Sequence, residues 1–244
     1  MNPMILNYTR KLLVLFLFAA YEFLNAQGGG PPMITDDPGT APKGKIELNV
    51  SVNSDISKPE TEYQIPLFDL NYGLTEHIQL KMEIPYLIYS GKEENFNRLG
   101  SPLLGVKYRF LDEDKSKISV STYPQINAPL NSKDSIAYLL PLEFEKSIDS
   151  VITLGCELGF GWSEKGYKYI KSGILAGKGF GDKFEAMLEF DAFYDISASK
   201  WDDIILNAGA RYTVNKNIII LLAAGFNLSE SKNIHTVLGI QFLF

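Results

Sequence analysis

Cysteine is almost absent from this chain, since Cys156 is the only one among 244 residues. A single thiol excludes an internal disulfide, so the fold must be stabilised by hydrogen bonds and packing. Histidine is nearly as rare, with only His77 and His235. No zinc-ligand spacing, phosphate-binding glycine loop or nucleotide motif is present. We therefore expect no metal site and no cofactor.

An excess of positive charge is also missing. The chain has 23 Lys and Arg against 29 Asp and Glu, a formal net charge of -6. Nucleic-acid-binding domains usually carry a basic patch, so no nucleic acid is expected as a partner.

A long apolar run is the third absence. The stretch LLVLFLFAAYEFL, residues 12–24, is shorter than the about 20 residues of a membrane-spanning helix. Arg10 and Lys11 precede it, and Ala26 supplies a small residue before a cleavage site. The pattern predicts a signal peptide over residues 1–26, with an uncleaved anchor as the alternative.

From Ile46 onward the chain alternates between apolar and polar residues. HIQLKMEIPY, residues 77–86, has five apolar side chains on one face and polar ones between them, which is the period of a β-strand. About twelve such segments of roughly ten residues follow, the length of tilted strands in an outer membrane. A mean hydropathy of -0.03 conceals this two-faced pattern.

The connections between these segments alternate in length. Short turns such as GDK and NKN alternate with longer stretches, which are SGKEENFNRLG, PLNSKDSI, ISASKWD and LSESKN. Short periplasmic turns and longer outer loops are typical of bacterial barrels. Both chain ends are then expected on the periplasmic side.

The apolar face favours a membrane barrel over a soluble one. A lipocalin-like barrel or a sandwich would also alternate, but its apolar face would line a shared core. Here aromatic residues lie near the strand ends, and the chain ends in VLGIQFLF. We predict an all-β fold, a closed antiparallel transmembrane β-barrel of about twelve strands over residues 45–244, with its first strand paired to its last. The expected partners are outer-membrane lipid and, through Phe244, the barrel assembly machinery.

Charged residues occupy the opposite, inward face of these strands. Simple hairpin registers would pair Glu83 with Lys107 and Glu185 with Arg211, and Tyr123 is the one clear inward aromatic. Two interpretations stay open, structural ion pairs or a solute path. The candidate solute path comprises Lys81, Glu83, Lys107, Arg109, Tyr123, Glu143, Glu157, Glu189 and Arg211.

Residues 27–44, between the predicted cleavage site and the first strand, contain all but the last residue of the stretch PPMITDDPGTAPKGK, residues 31–45. Aspartate before proline and glycine favours a capped turn, which is the simpler interpretation. The position also allows this periplasmic segment to fold into the barrel mouth as a plug. Asp36 or Asp37 would then meet Lys107, Arg109 or Arg211, and we call Thr35, Asp36, Asp37 and Pro38 the latch.

A catalytic site is weakly supported. Some outer-membrane barrels are hydrolases that need a histidine beside a serine or carboxylate. Ser51 or Asn53 of the first strand could approach His235. Such a juxtaposition is common by chance, so we expect no enzyme activity and assign no catalytic residue.

The start of the predicted mature chain carries a family resemblance. PPMITDDPGTAPKGKIELNV resembles the opening of the outer-membrane barrel family named after the meta-cleavage pathway of phenol degradation; the matching positions are Thr35, Asp36, Asp37, Pro38, Gly44 and Glu47. The resemblance implies a channel or transporter in the outer membrane of a Gram-negative bacterium, for a small solute of hydrophobic or aromatic kind. The alternative is a non-conducting structural barrel that acts through its outer loops KEENFNR and SASKWDD.

Overall fold

The computed structural model describes residues 30–57, 59–130, 135–148, 151–229 and 232–244. The predicted signal peptide, residues 1–26, lies outside this part of the chain, as do residues 27–29. Within the described ranges, no helix has the length and apolar character needed to cross a membrane.

The described residues form fourteen β-strands and one helical turn. In order they are β1 (Ile46–Ile56), β2 (Thr61–Gly73), β3 (Ile78–Ser90), β4 (Asn95–Leu99), β5 (Leu103–Leu111), α1 (Glu113–Ser116), β6 (Ser119–Thr122), β7 (Gln125–Asn127), β8 (Ala137–Ile148), β9 (Ile152–Ser163), β10 (Lys168–Phe180), β11 (Phe184–Asp195), β12 (Lys200–Asn215), β13 (Ile218–Asn227) and β14 (Ile234–Leu243).

These fourteen segments make twelve strands of a closed antiparallel barrel. Both β4 and β5 pair with β3, one after the other, and β6 and β7 both lie between β5 and β8. Pro102 and Pro124 lie in the two breaks, where a residue without an N–H cannot continue the ladder. β1 pairs with β14 from Glu47–Leu243 to Ile56–Ile234. The predicted twelve-stranded closed barrel is thereby confirmed.

The distribution of apolar and polar side chains is the reverse of that in a soluble protein. On β11 the outward Leu188 is 62% exposed, whereas its neighbour Glu189 is 1% exposed. Alternation places every second side chain on the same face, so the outer surface is apolar and the interior is polar. A surface of this kind is suited to lipid.

The two ends of the barrel differ less in loop length than the sequence predicts. In SGKEENFNRLG, residues Asn95–Leu99 form β4 and pair with Tyr86–Ser90 of β3, so only residues 91–94 turn. In ISASKWD, β12 already begins at Lys200. Polar strand residues that extend beyond the apolar belt look like loop residues in sequence.

Residues 30–44, named here the lumen segment, enter the barrel at the end where β1 begins and β14 ends, which we call the terminal end. Lys43 bridges Gly73 in parallel, and the Gly44 N–H donates to the Gly73 carbonyl at 2.7 Å. A Cβ on Gly73 would lie 2.3 Å from the carbonyl oxygens of Ala41 and Pro42. This close passage therefore requires glycine at position 73. The opposite end of the barrel is called the loop end.

Candidate functional site

Two lysines of the wall bind the carboxylate of Asp36. Lys107 Nζ lies 3.0 Å from Asp36 Oδ1, and Lys81 Nζ lies 3.8 Å from Oδ2. Burial would raise the pKa of Asp36, but Lys107 and Lys81 hold it well below its ordinary value of 3.8. The predicted contact between the latch and Lys107 is thus present as an ion pair.

Lys107 joins the latch to a buried acid of the wall. Its ammonium also donates to the carbonyl oxygen of Asp37, and it lies 3.5 Å from Glu143 Oε2. Glu143 is fully buried and accepts a hydrogen bond from the Ser121 hydroxyl. Lys107, Asp36 and Glu143 therefore form one buried network.

Two glutamates of the wall bind peptide N–H groups of the lumen segment. Glu189 accepts from the N–H of Ile34 at 2.9 Å and from that of Thr35 at 3.1 Å. Glu157 accepts from the N–H of Asp36 at 3.0 Å. These carboxylates satisfy peptide groups that have no strand partner, which holds the segment inside the barrel.

Two further cations bind carbonyl groups of the segment. Lys171 donates to the Ile34 carbonyl at 2.9 Å and pairs with Glu157 at 2.7 Å. Arg211 donates to the carbonyls of Gly30 and Pro31 at 3.0 and 2.9 Å. It also lies 3.4 Å from Glu185, so the predicted pairing of Glu185 with Arg211 is correct.

Close packing also positions the segment. The side chain of Met33 enters an apolar cluster on the inner wall, formed with Leu175, Met187, Ala223 and Val237. Thr35 is fully buried against β10, where a Cβ on Gly173 would lie 2.2 Å from Thr35 Oγ1. Glycine at position 173 thus creates the space for Thr35.

The second aspartate of the latch has a local role. Asp37 Oδ1 accepts from the Gly39 N–H at 2.5 Å, across the buried Pro38. This is the capped turn that the sequence predicted. The two adjacent aspartates therefore differ, since Asp36 binds the wall and Asp37 shapes the segment.

The predicted pairing of Glu83 with Lys107 is wrong. Glu83 pairs instead with Lys81, at 2.8 Å, and Lys107 lies opposite Gln79. The hairpin after β3 first forms β4, which shifts the register of β5. A simple hairpin would have no such break.

Arg109 also lies apart from the latch. It donates to the Glu76 carbonyl at 2.9 Å and lies 3.5 Å from Asp112, near the rim of the terminal end. Its predicted contact with Asp36 or Asp37 is not among the contacts of the described residues.

Tyr123 lies inside the barrel as predicted, with its ring centroid 5.4 Å from the ammonium groups of both Lys81 and Lys107. It is not the one inward aromatic, however. Tyr169 shares the inward face of β10 with Lys171, and its ring centroid lies 6.0 Å from that of Phe193. The mixed pattern of YIKSGILAGKGF concealed this strand face. The same stretch contains Lys171, which contacts the lumen segment, and Gly173, which borders it. Neither was among the predicted site residues.

The lumen segment separates two cavities. The loop-end vestibule has a volume of about 280 Å³ and is lined by residues that include Asn53, Leu67, Leu139 and His235. The terminal-end vestibule has about 770 Å³ and is lined by residues that include Arg109, Glu145 and Gln241. Between them, beside Asp36 and Asp37, lies a cavity of about 30 Å³, the volume of about one water molecule.

No cluster of three or more ligating side chains that could hold a metal ion is found in the described ranges. The chemistry of the interior is therefore that of ion pairs and hydrogen bonds to peptide groups.

Solved structures similar to this one are outer-membrane barrels. An outer membrane channel from Pseudomonas putida F1 aligns with a TM-score of 0.66 and 11% identity, over 87% of this chain and 100% of that one. The NanC porin aligns with a TM-score of 0.63 and 10% identity, and the KdgM porin with 0.60 and 11%, each over 80% of this chain and 98% of its own. At such identities the likeness is one of fold.

The comparison with curated proteins finds no match. A family model does match, over residues 32–236, and its description reads "Putative MetA-pathway of phenol degradation". Because this match spans most of the chain and includes the latch, the chain belongs to that family of outer-membrane β-barrels.

Proposed function

We propose that the protein is an outer-membrane channel for a small solute, and that the lumen segment closes its path. The observation that carries this proposal is the division of the polar interior into two vestibules by residues 30–44, with a cavity of about 30 Å³ between them.

The solute is small and has an apolar part. The loop-end vestibule, at about 280 Å³, lies just below the range of about 300–1,000 Å³ for small-molecule sites. Its apolar lining comprises Leu67, Leu103 and Leu139 with Tyr123, and charged side chains that include Asp69, Lys81 and Glu83 line the rest. An apolar or aromatic solute agrees with this lining and with the family description.

The surroundings of the barrel follow from its outer surface. The apolar belt contacts outer-membrane lipid of a Gram-negative bacterium, with the terminal end in the periplasm. Phe244 is exposed and stacks on Phe242, with ring centroids 6.3 Å apart. This terminal aromatic is the contact that we propose for the assembly machinery.

Conductance of the full-length protein in planar bilayers tests the channel. In Gly173→Ala the new Cβ would lie 2.2 Å from Thr35 Oγ1 and 3.2 Å from Thr35 Cβ, so Thr35 is pushed away from β10 and the docking of the lumen segment is weakened. We expect wild type to conduct rarely or in small steps and Gly173→Ala to conduct in larger and longer ones.

Gly155→Ala is the matched control. Gly155 lies on the neighbouring strand β9, and a Cβ there would meet its nearest atom, the Phe144 carbonyl oxygen, at 3.7 Å, an ordinary contact. This variant should behave like wild type. A Gly173→Ala barrel that conducts no more than Gly155→Ala would contradict the channel and favour the structural barrel.

The hydrolase alternative has less support. His235 Nδ1 lies 3.0 Å from Asp55 Oδ1, whereas Ser51 or Asn53 was the predicted neighbour. Among the described residues no serine hydroxyl is hydrogen-bonded to His235. The pair lies near the mouth of the loop end, where it joins β1 to β14.

A further inference from the structure

We infer that the path through this barrel favours small cations and neutral solutes over anions, and that the terminal-end vestibule makes the selection. This inference rests on the proposed channel function and adds to it the charge class of the solute.

Acidic side chains outnumber basic ones around the terminal-end vestibule. Its lining contains Arg109 and Lys216 as the two bases and six acids, which are Asp37, Glu47, Asp112, Glu113, Asp114 and Glu145. Charges that border one partly enclosed cavity are screened by salt less than charges in open solution. Their potentials therefore add, and the cavity attracts cations.

Most of the basic side chains are already engaged by acids, although Lys216 has no ion pair among the described residues. Arg109 lies 3.5 Å from Asp112. Deeper in the wall, Lys107 lies 3.5 Å from Glu143, and Lys171 lies 2.7 Å from Glu157. Little positive charge is left to attract an anion at either level.

A buried hydroxyl of the vestibule has no such partner. Thr153 is 1% exposed and lines the vestibule, and its hydroxyl has no hydrogen-bond partner among the described residues. Its oxygen is an unpaired acceptor at the edge of this cavity, beside acidic side chains of the kind that are typical of cation-selective pores.

The reaction rate of a cysteine thiol placed in the vestibule reports the electrostatic potential there, and the measurement does not require the barrel to conduct. In the full-length Cys156→Ser background, Ile219→Cys faces the terminal-end vestibule from β13, and Asn217→Cys in the adjacent turn is a second reporter. The probes are methanethiosulfonates of equal reactive group, one with a trimethylammonium tail and one with a sulfonate tail. The ratio of their modification rates is compared with that for free 2-mercaptoethanol.

We expect the cationic reagent to be favoured by about tenfold or more over the ratio for the free thiol, a potential of several kT being typical of charged clefts. The double change Glu113→Gln with Glu145→Gln should lower that preference several-fold at both reporters. A ratio equal to that of the free thiol, or one unchanged by the double substitution, would overturn the inference.

Reversal potentials supply the second measurement. Under a tenfold KCl gradient, Gly173→Ala should reverse toward the potassium equilibrium potential, and a reversal toward chloride would contradict the inference. If this variant does not conduct, the channel proposal fails, while the modification rates still decide the charge of the vestibule.

Discussion

The two adjacent aspartates of the latch differ in what they stabilise. Asp36 is held by Lys107 and Lys81 of the wall, whereas the carboxylate of Asp37 accepts from Gly39 within the segment itself. The two side chains, although adjacent in sequence, therefore lie in different surroundings.

Asp36→Asn should weaken the docking of the lumen segment by about 2 kcal/mol, the usual worth of a hydrogen bond to a charged group. The neutral amide leaves Lys107 with Glu143 as its remaining carboxylate, so the loss stays moderate. Protease protection of the segment in detergent, followed at several denaturant concentrations, measures the change.

Asp37→Asn is the control for this prediction, because an amide oxygen can still accept from the Gly39 N–H. Its segment should be protected almost as in wild type. Equal loss of protection in the two variants would contradict the separate roles of the two aspartates.

At the residue level, the sequence predicted well which types of side chain lie inside the barrel. It predicted less well which residues those side chains contact. The contact of Asp36 with Lys107 followed from the position of the segment before β1. Gly173 could not be identified, because its importance depends on Thr35, a residue far away in sequence that approaches it only in the folded barrel.

At the level of elements, the alternation of apolar and polar residues identified the strands but did not show where they end. Period two in residues 77–86 predicted β3 correctly, since one face must meet lipid and the other the polar interior. The register of β5 was not predictable in this way. It depends on the break between β4 and β5, which no pattern of apolar residues marks.

The apolar face of β11 leads to a prediction about how this strand contacts lipid. Leu188 is 62% exposed near the middle of β11, so Leu188→Arg should lower the free energy of unfolding in lipid by about 2–4 kcal/mol. Reversible unfolding in phospholipid vesicles, followed by tryptophan fluorescence, measures it.

Leu228→Arg serves as the comparison. Leu228 is similarly exposed, at 61%, but lies in the connection after β13, where arginine meets water or lipid headgroups. Its cost should be near zero. A cost for Leu188→Arg no larger than that for Leu228→Arg would be expected of a water-soluble barrel and would contradict the membrane-spanning one.

At the level of the whole molecule, the barrel and its lumen segment form one closed polar interior. The strands alone explain the lipid-facing surface and the closure of β1 on β14. The segment explains why the wall carries so many buried charges, because Glu157, Glu189, Lys171 and Arg211 bind its peptide groups. Sequence predicted the barrel from its strands and the location of the segment, and the structure adds the contacts with peptide groups that hold it there.

A reversible covalent lock tests most directly whether the lumen segment closes the path. A Cβ on Gly173 would lie 3.2 Å from the Thr35 Cβ, close to the about 3.5–4.5 Å of disulfides. We therefore choose Thr35→Cys with Gly173→Cys in the Cys156→Ser background, with each single cysteine variant as a control. Single-channel recording should show a closed barrel when the pair is oxidised and conducting steps after a reductant is added, with no such switch in the single variants. Equal conductance of the oxidised and reduced barrels would contradict closure by this segment.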